Sequence, residues 1–153
     1  MIIQAGFDLE LLARPLIVQE EKPYPRLVVI GLDAEMQLES IQVVTESFEG
    51  SLNPFQDAIL EHLDLVGAKY FAIAHAGIWA EEDYFDEQPI LQEAKKLNGI
   101  AEERGFHMIG HFGLDKTGYM SNGPHSYFDQ YSLGDHLPDT MTHWVHSRFG
   151  LCE

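Results

Sequence analysis

Histidine and aspartate side chains near the middle of the chain could together bind a metal ion. His75 ends an apolar run over residues 69–75 (KYFAIAH), which predicts a buried strand. Asp83 and Asp86 follow in the next segment, and imidazole and carboxylate groups are both common zinc ligands. Two interpretations stay open: His75 binds a metal with Asp83 or Asp86, or it is a hydrogen-bonded histidine at a strand end.

Two further histidine pairs have spacings that bear on metal binding. His107 and His111 lie four residues apart on a predicted strand, so we expect them to share a face about 13 Å apart, too far to chelate one zinc ion. His143 and His146 have a helical spacing that permits chelation, but no nearby cysteine or carboxylate completes a set. We interpret the first pair as core or edge positions and the second as exposed helix positions.

The segment after His75 combines aromatic and acidic residues. Residues 79–87 (WAEEDYFDE) place Trp79, Tyr84 and Phe85 among five carboxylates. Aromatic anchors inside a charged rim are typical of protein-binding surfaces, whereas clustered carboxylates can bind hard cations. The third interpretation is a solvated loop whose aromatic side chains fold back onto the core.

The overall charge disfavours direct binding to nucleic acid or to anionic lipid. Aspartate and glutamate number 25 against nine lysines and arginines, which gives a formal net charge of −16. Such a chain repels phosphate groups and favours a basic protein partner. A lone cysteine, Cys152, rules out an internal disulfide bond. Together with the lack of a signal-peptide or membrane-spanning pattern, it predicts a cytoplasmic protein without a membrane contact.

Apolar periodicity predicts an α/β fold with the element order β-β-α-β-α-β-β. We expect a mixed sheet with helices packed on it, built from strands near 26–33, 37–48, 69–75, 106–112 and 118–121 and helices near 55–66 and 89–104. A short helix over 7–13 should end before Pro15. The expected organisation is an N-terminal arm (1–25), a core (26–121) and a C-terminal extension packed on that core (122–153), with a closing helix over 139–149.

The order and spacing of several short segments resemble RadC-like domains of the JAB/MPN family across residues 14–121. The matching segments are LVVIGLD (27–33), SLNP (51–54), AIAH (72–75), GFHMIGH (105–111) and GYMS (118–121). The resemblance implies an αβα fold similar to that of cytidine deaminases. It also implies a zinc hydrolase site with a His-x-His motif, a later aspartate and an upstream glutamate that acts as general base.

The ligand pattern that the resemblance implies is largely missing from this chain. His75 occupies the first histidine position, but the second falls on Gly77, the aspartate falls near Gln88 and the glutamate falls near Gln42. We therefore expect a non-catalytic RadC-like JAB/MPN domain that acts as a protein-interaction module and needs no cofactor. One alternative is a zinc-dependent (iso)peptidase with a rearranged metal site. Another is a RadC-like role associated with DNA repair, without direct DNA contact.

Overall fold

The computed structural model describes residues 6–20, 22–77, 88–116 and 119–122. The elements, in chain order, are α1 (Gly6–Ile17), β1 (Val18–Gln19), β2 (Lys22–Pro23), β3 (Leu27–Leu32), β4 (Leu38–Thr45), a 3-10 turn (Asn53–Phe55), α2 (Gln56–Val66), β5 (Tyr70–Ala76), α3 (Pro89–Glu103), β6 (His107–Leu114) and β7 (Tyr119–Asn122). The expected closing helix over 139–149, with His143 and His146, lies outside the described residues.

Five strands form a mixed sheet in the order β4-β3-β5-β6-β7. β5 and β6 run parallel, while the other neighbouring pairs are antiparallel. The parallel pair needs a crossover connection, and α3 lies within it. The expected mixed sheet with packed helices is therefore confirmed at the level of the α/β class.

Helices cover both faces of this sheet. On one face, α1 buries Leu9, Ala13 and Ile17 against the even-numbered residues of β3. On the other face, α2 and α3 pack on the odd-numbered residues of β3, including Leu27 and Val29. The central strands are buried on both faces, which explains why their sequences are continuously apolar instead of alternating. No described helix is long and apolar enough to cross a membrane.

The first helix is longer than its sequence suggests. We expected it to end before Pro15, yet α1 continues to Ile17 with Pro15 inside it. Pro15 is exposed, whereas Ile17 is fully buried. Proline removes one helical hydrogen bond, but α1 buries Leu9 and Ala13 before Pro15 and Ile17 after it, so packing on the sheet stabilises the helix on both sides of the proline. The following residues form the small β1–β2 hairpin and not only an extended arm.

A β-bulge in β6 reverses one expectation about the histidines. Phe71 pairs with Met108 but Ala72 pairs with Gly110, so Ile109 is an extra residue on β6. One extra residue turns every later side chain to the other face. His107 and His111 therefore lie on opposite faces of the sheet, and the prediction that they share a face is wrong.

Candidate functional site

His75 lies near the C-terminal end of β5, the central strand of the sheet, and its side chain is buried. It faces the α2 and α3 side, because it is in register with Leu27 of β3. The residue opposite it on β6 is Gly113, which has no side chain. His111, paired with Ile73, is therefore the diagonal neighbour on the same face, and rings at such positions can reach each other.

The two imidazoles form a direct hydrogen bond. The Nε2 atoms of His75 and His111 are 2.7 Å apart, and Nδ1 of His75 lies 3.1 Å from the carbonyl oxygen of Ala76. A carbonyl oxygen can only accept a hydrogen bond, so His75 carries its proton on Nδ1 and donates it to Ala76. Its Nε2 must then accept the hydrogen bond that Nε2–H of His111 donates. Both ring nitrogens of His75 are engaged in this way.

Burial keeps both rings neutral near physiological pH. Burial lowers the pKa of His75 from 6.5 to about 4, and the hydrogen bond to the Ala76 carbonyl opposes part of that shift. For His111, burial and the neighbouring His75 both lower the pKa well below 6.5. A proton added to the pair would place a charge in a low-dielectric interior. The pair therefore stays uncharged near pH 7, where it can hold β5 and β6 together by a hydrogen bond but does not readily take up a proton.

A cavity of about 370 Å³ opens beside His75 at this end of the sheet. Its lining is Phe48, Gly50, His75, Ala76, Gly77, Gln88, Pro89 and Ile90. The ring of Phe48 stacks on His75 with centroids 4.8 Å apart. The backbone of Phe48 is held in place because its N–H donates to the carbonyl of Pro25.

One acidic side chain positions the elements around the cavity. Oε1 of Glu93, on α3, accepts hydrogen bonds from Oγ of Ser51 at 2.7 Å, N–H of Leu52 at 2.7 Å and N–H of Asn53 at 3.0 Å. These donors lie at the start of the 3-10 turn that leads into α2, where N–H groups have no partner within the turn. Glu93 thus joins α3 to the start of α2 and ties down the segment that follows Phe48.

Of the three positions at which the resemblance implies a second histidine, an aspartate and a general base, two lie at this cavity and one does not. Gly77 and Gln88 line it beside His75. Gly77 has a φ of +93°, so a histidine in its place would be strained. Gln42 is exposed on β4 opposite Val29; the strand spacing puts it two strands and two residues from His75, a separation of roughly 12 Å. The sheet thus does not bring Gln42 to the histidine.

The remaining predicted site residues lie outside the described residues. They are the proposed binding residues Trp79, Tyr84 and Phe85 and the proposed metal ligands Asp83 and Asp86. The chain leaves the described structure after Gly77 and re-enters it at Gln88, and both of these residues line the cavity.

Sequence reasoning missed two residues of this site. His111 was interpreted as an isolated core or edge position, although the parallel pairing of β5 with β6 places it beside His75. Phe48 was treated only as part of an alternating strand. Histidines on two strands that are predicted to pair in parallel are a signal for a contact between His75 and His111. The register that brings the two rings together, however, depends on the bulge in β6.

The described donor groups do not fit the zinc site that the resemblance implies. A hydrolytic zinc ion takes three protein ligands and keeps one position open, and among the described residues no group of three His, Cys, Asp or Glu side chains is placed to hold a metal. No protein-family model matches the chain, and no curated protein sequence matches it.

Proposed function

We propose that this chain is a non-catalytic domain similar to RadC-like JAB/MPN domains and that it acts by binding a protein partner. The hydrogen bond between His75 and His111 is the observation that carries the non-catalytic part of the proposal, and the aromatic and acidic segment 79–87 motivates the binding part. Since Nδ1–H of His75 donates to the carbonyl of Ala76, a metal could bind this ring only through the lone pair on Nε2. That lone pair accepts a hydrogen bond from Nε2–H of His111, and the ring of Phe48 stacks on His75.

The neighbouring positions support the same conclusion. Gly77 offers no side chain, and its backbone conformation disfavours any residue that would. Gln88 carries an amide, which is a weak metal ligand and not a proton acceptor near neutral pH. Gln42, the general-base position, lies on a different part of the sheet. The loss of each group would slow a hydrolytic reaction by itself, since general acid–base help is worth about 10²–10⁴-fold.

The non-catalytic part is tested by metal content and turnover. Purified, untagged protein should hold less than stoichiometric zinc, and with added zinc it should not hydrolyse peptide or isopeptide substrates. Turnover that a chelator abolishes and that His75→Ala also abolishes would instead establish the zinc-dependent hydrolase.

The binding part is tested with the aromatic residues that the sequence singles out. A partner identified from the source cell and then purified should bind the intact chain. The combined substitution of Trp79, Tyr84 and Phe85 by alanine should weaken that binding by about tenfold or more, as expected for aromatic anchors. Glu103→Ala, which changes an exposed residue on α3, is the matched control and should leave the affinity unchanged. Equal loss in both variants would overturn the assignment.

A further inference from the structure

Strand β4 forms one edge of the five-stranded sheet, and its outward-facing backbone groups can be identified. Just before β3, the carbonyl of Arg26 points toward β5, where it accepts a hydrogen bond from the N–H of Ala76. The carbonyl of Pro25 points the other way, toward β4, and accepts a hydrogen bond from the N–H of Phe48. Backbone direction alternates along a strand, so the odd-numbered residues of β3 bond to β4. These include Val29, which pairs with Gln42.

It follows that Ser40 and Gln42 direct their backbone groups toward β3, whereas Ile41 and Val43 direct theirs away from the sheet. The side chain of Gln42 agrees with this direction, because its Nε2 donates to the outward carbonyl of Val43 at 3.1 Å. Within the part of the chain that the structure describes, β3 is the only strand paired with β4.

Two bulges set the length of this open edge. The register skips Glu39 near one end of β4 and Val44 near the other, which leaves Ser40 to Val43 as the regular stretch. Bulges at an edge prevent long edge-to-edge pairing between copies of a protein. A stretch of this length still accommodates a short extended peptide, which binds a sheet edge through its main chain.

The surface beside the edge carries exposed apolar and acidic side chains. Oγ of Ser40 lies 2.9 Å from Nε2 of His62 on α2, so the flank of α2 that bears His62 adjoins β4. Residues three and four positions apart are neighbours on a helix, which places Ala58 and Leu65 on this flank. Leu65 is 78% exposed. Glu61 is also exposed on α2, and Glu39, next to Ser40, is exposed on the edge strand itself.

We propose that the edge of β4, together with this flank of α2, binds a short, extended, basic segment of a partner protein by strand addition. Main-chain bonds form with Ile41 and with the N–H of Val43, whose carbonyl already accepts from Nε2 of Gln42. An apolar side chain covers Leu65, and lysine or arginine side chains meet Glu39 and Glu61. A second copy of the chain is disfavoured by its charge of −16, and residues 123–153 are disfavoured because they carry four acidic residues against one arginine. This surface is separate from the cavity at His75, so the inference goes beyond the proposed function and is tested independently of it.

Amide hydrogen exchange on the full chain provides the first test. In the free protein, the amides of Ile41 and Val43 should exchange quickly, while those of Ser40 and Gln42, which are bonded to β3, should exchange slowly. Slow exchange at Ile41 and Val43 would show that another part of the chain covers the edge, and would overturn the proposal.

The second test uses a short acetylated peptide that alternates lysine with valine. It should slow exchange at Ile41 and Val43, and it should bind about tenfold more tightly than a version N-methylated at alternate amides or a version with glutamate in place of lysine. Val43→Pro removes an outward N–H, which an edge strand tolerates, and should abolish binding with the fold retained. If that variant does not fold, Leu65→Asp changes only an exposed side chain and should weaken binding. Equal affinity for the N-methylated peptide, or no binding at millimolar peptide, would contradict strand addition.

Discussion

His75 and His111 lie on adjacent parallel strands with their Nε2 atoms 2.7 Å apart, and both side chains are buried. The backbone carbonyl of Ala76 determines the direction of this hydrogen bond, because it accepts a hydrogen bond from Nδ1–H of His75. The same atom of His75 that a metal would require is thereby used inside the protein.

The pair should make the stability of the fold dependent on pH below neutrality. Burial lowers the pKa of both histidines in the folded state, to about 4 for His75. Above about pH 6.5 both are neutral in the folded and unfolded states, and their contribution is fully present. As the pH falls, the unfolded chain takes up protons that the folded chain does not, so the free energy of unfolding decreases by up to about 1.4 kcal/mol per pH unit for each histidine.

Urea unfolding between pH 7 and pH 5 measures this slope, since most carboxylates stay ionised over that range. His111→Gln is the control, because it removes one of the two groups and should reduce the slope by about half. A free energy of unfolding that stays constant from pH 7 to pH 5 would contradict the burial of neutral histidines.

Substitution of His111, which donates the hydrogen bond to His75, should lower the free energy of unfolding by an amount that depends on whether the new side chain can donate. His111→Leu leaves Nε2 of His75 without its donor, and an unsatisfied buried polar atom costs about 1–3 kcal/mol. His111→Gln keeps an N–H donor on a side chain of suitable reach and should lose less. Chemical denaturation of the two variants decides between them: equal losses would show that packing, and not the hydrogen bond, is what His111 contributes.

Gly110, at the bulge of β6, has no room for a side chain. A Cβ atom added to Gly110 would lie 2.8 Å from Cε2 of Phe112, a fully buried ring. Gly110→Ala should therefore destabilise by about 1–3 kcal/mol, as overpacking in a core does. Gly99→Ala is the matched control, since nothing lies within 4 Å of its added Cβ, and alanine in a helix should stabilise by roughly 0.5–1 kcal/mol. Thermal unfolding should show a lower melting temperature for Gly110→Ala and a slightly higher one for Gly99→Ala.

The contact between α3 and the start of α2 should depend on the charge of Glu93. Glu93→Ala removes all three hydrogen bonds to Oε1, and hydrogen bonds to a charged group are worth about 1.5–3 kcal/mol. Glu93→Gln keeps an acceptor oxygen and should lose roughly half as much. Glu103→Ala, on the exposed side of the same helix, should leave the urea midpoint unchanged. An unchanged urea midpoint for Glu93→Ala would mean that this carboxylate does not hold the two helices together.

The parts of the fold that the sequence predicts are those governed by local apolar pattern. The runs around Leu27 and Ile73 are buried on both faces, and continuous apolar strands of this kind are readily recognised. The local pattern does not predict the end of α1, because Pro15 indicates a helix end whereas the packing of Ile17 on the sheet, a tertiary contact, keeps the helix going. The site was only half predicted: His75 ends a visible strand, whereas its partner His111 is placed by a bulge that no local pattern announces.

Nuclear magnetic resonance of the ring nitrogens of the two histidines at pH 7, before and after one equivalent of zinc is added, tests directly whether the hydrogen-bonded pair occupies the metal-binding atom. We expect a neutral His75 protonated on Nδ1 and a neutral His111 protonated on Nε2, with the spectrum unchanged by zinc. A shift of Nε2 of His75 to a metal-bound position, with displacement of the hydrogen bond from His111, would contradict a non-catalytic pair and support a metal site.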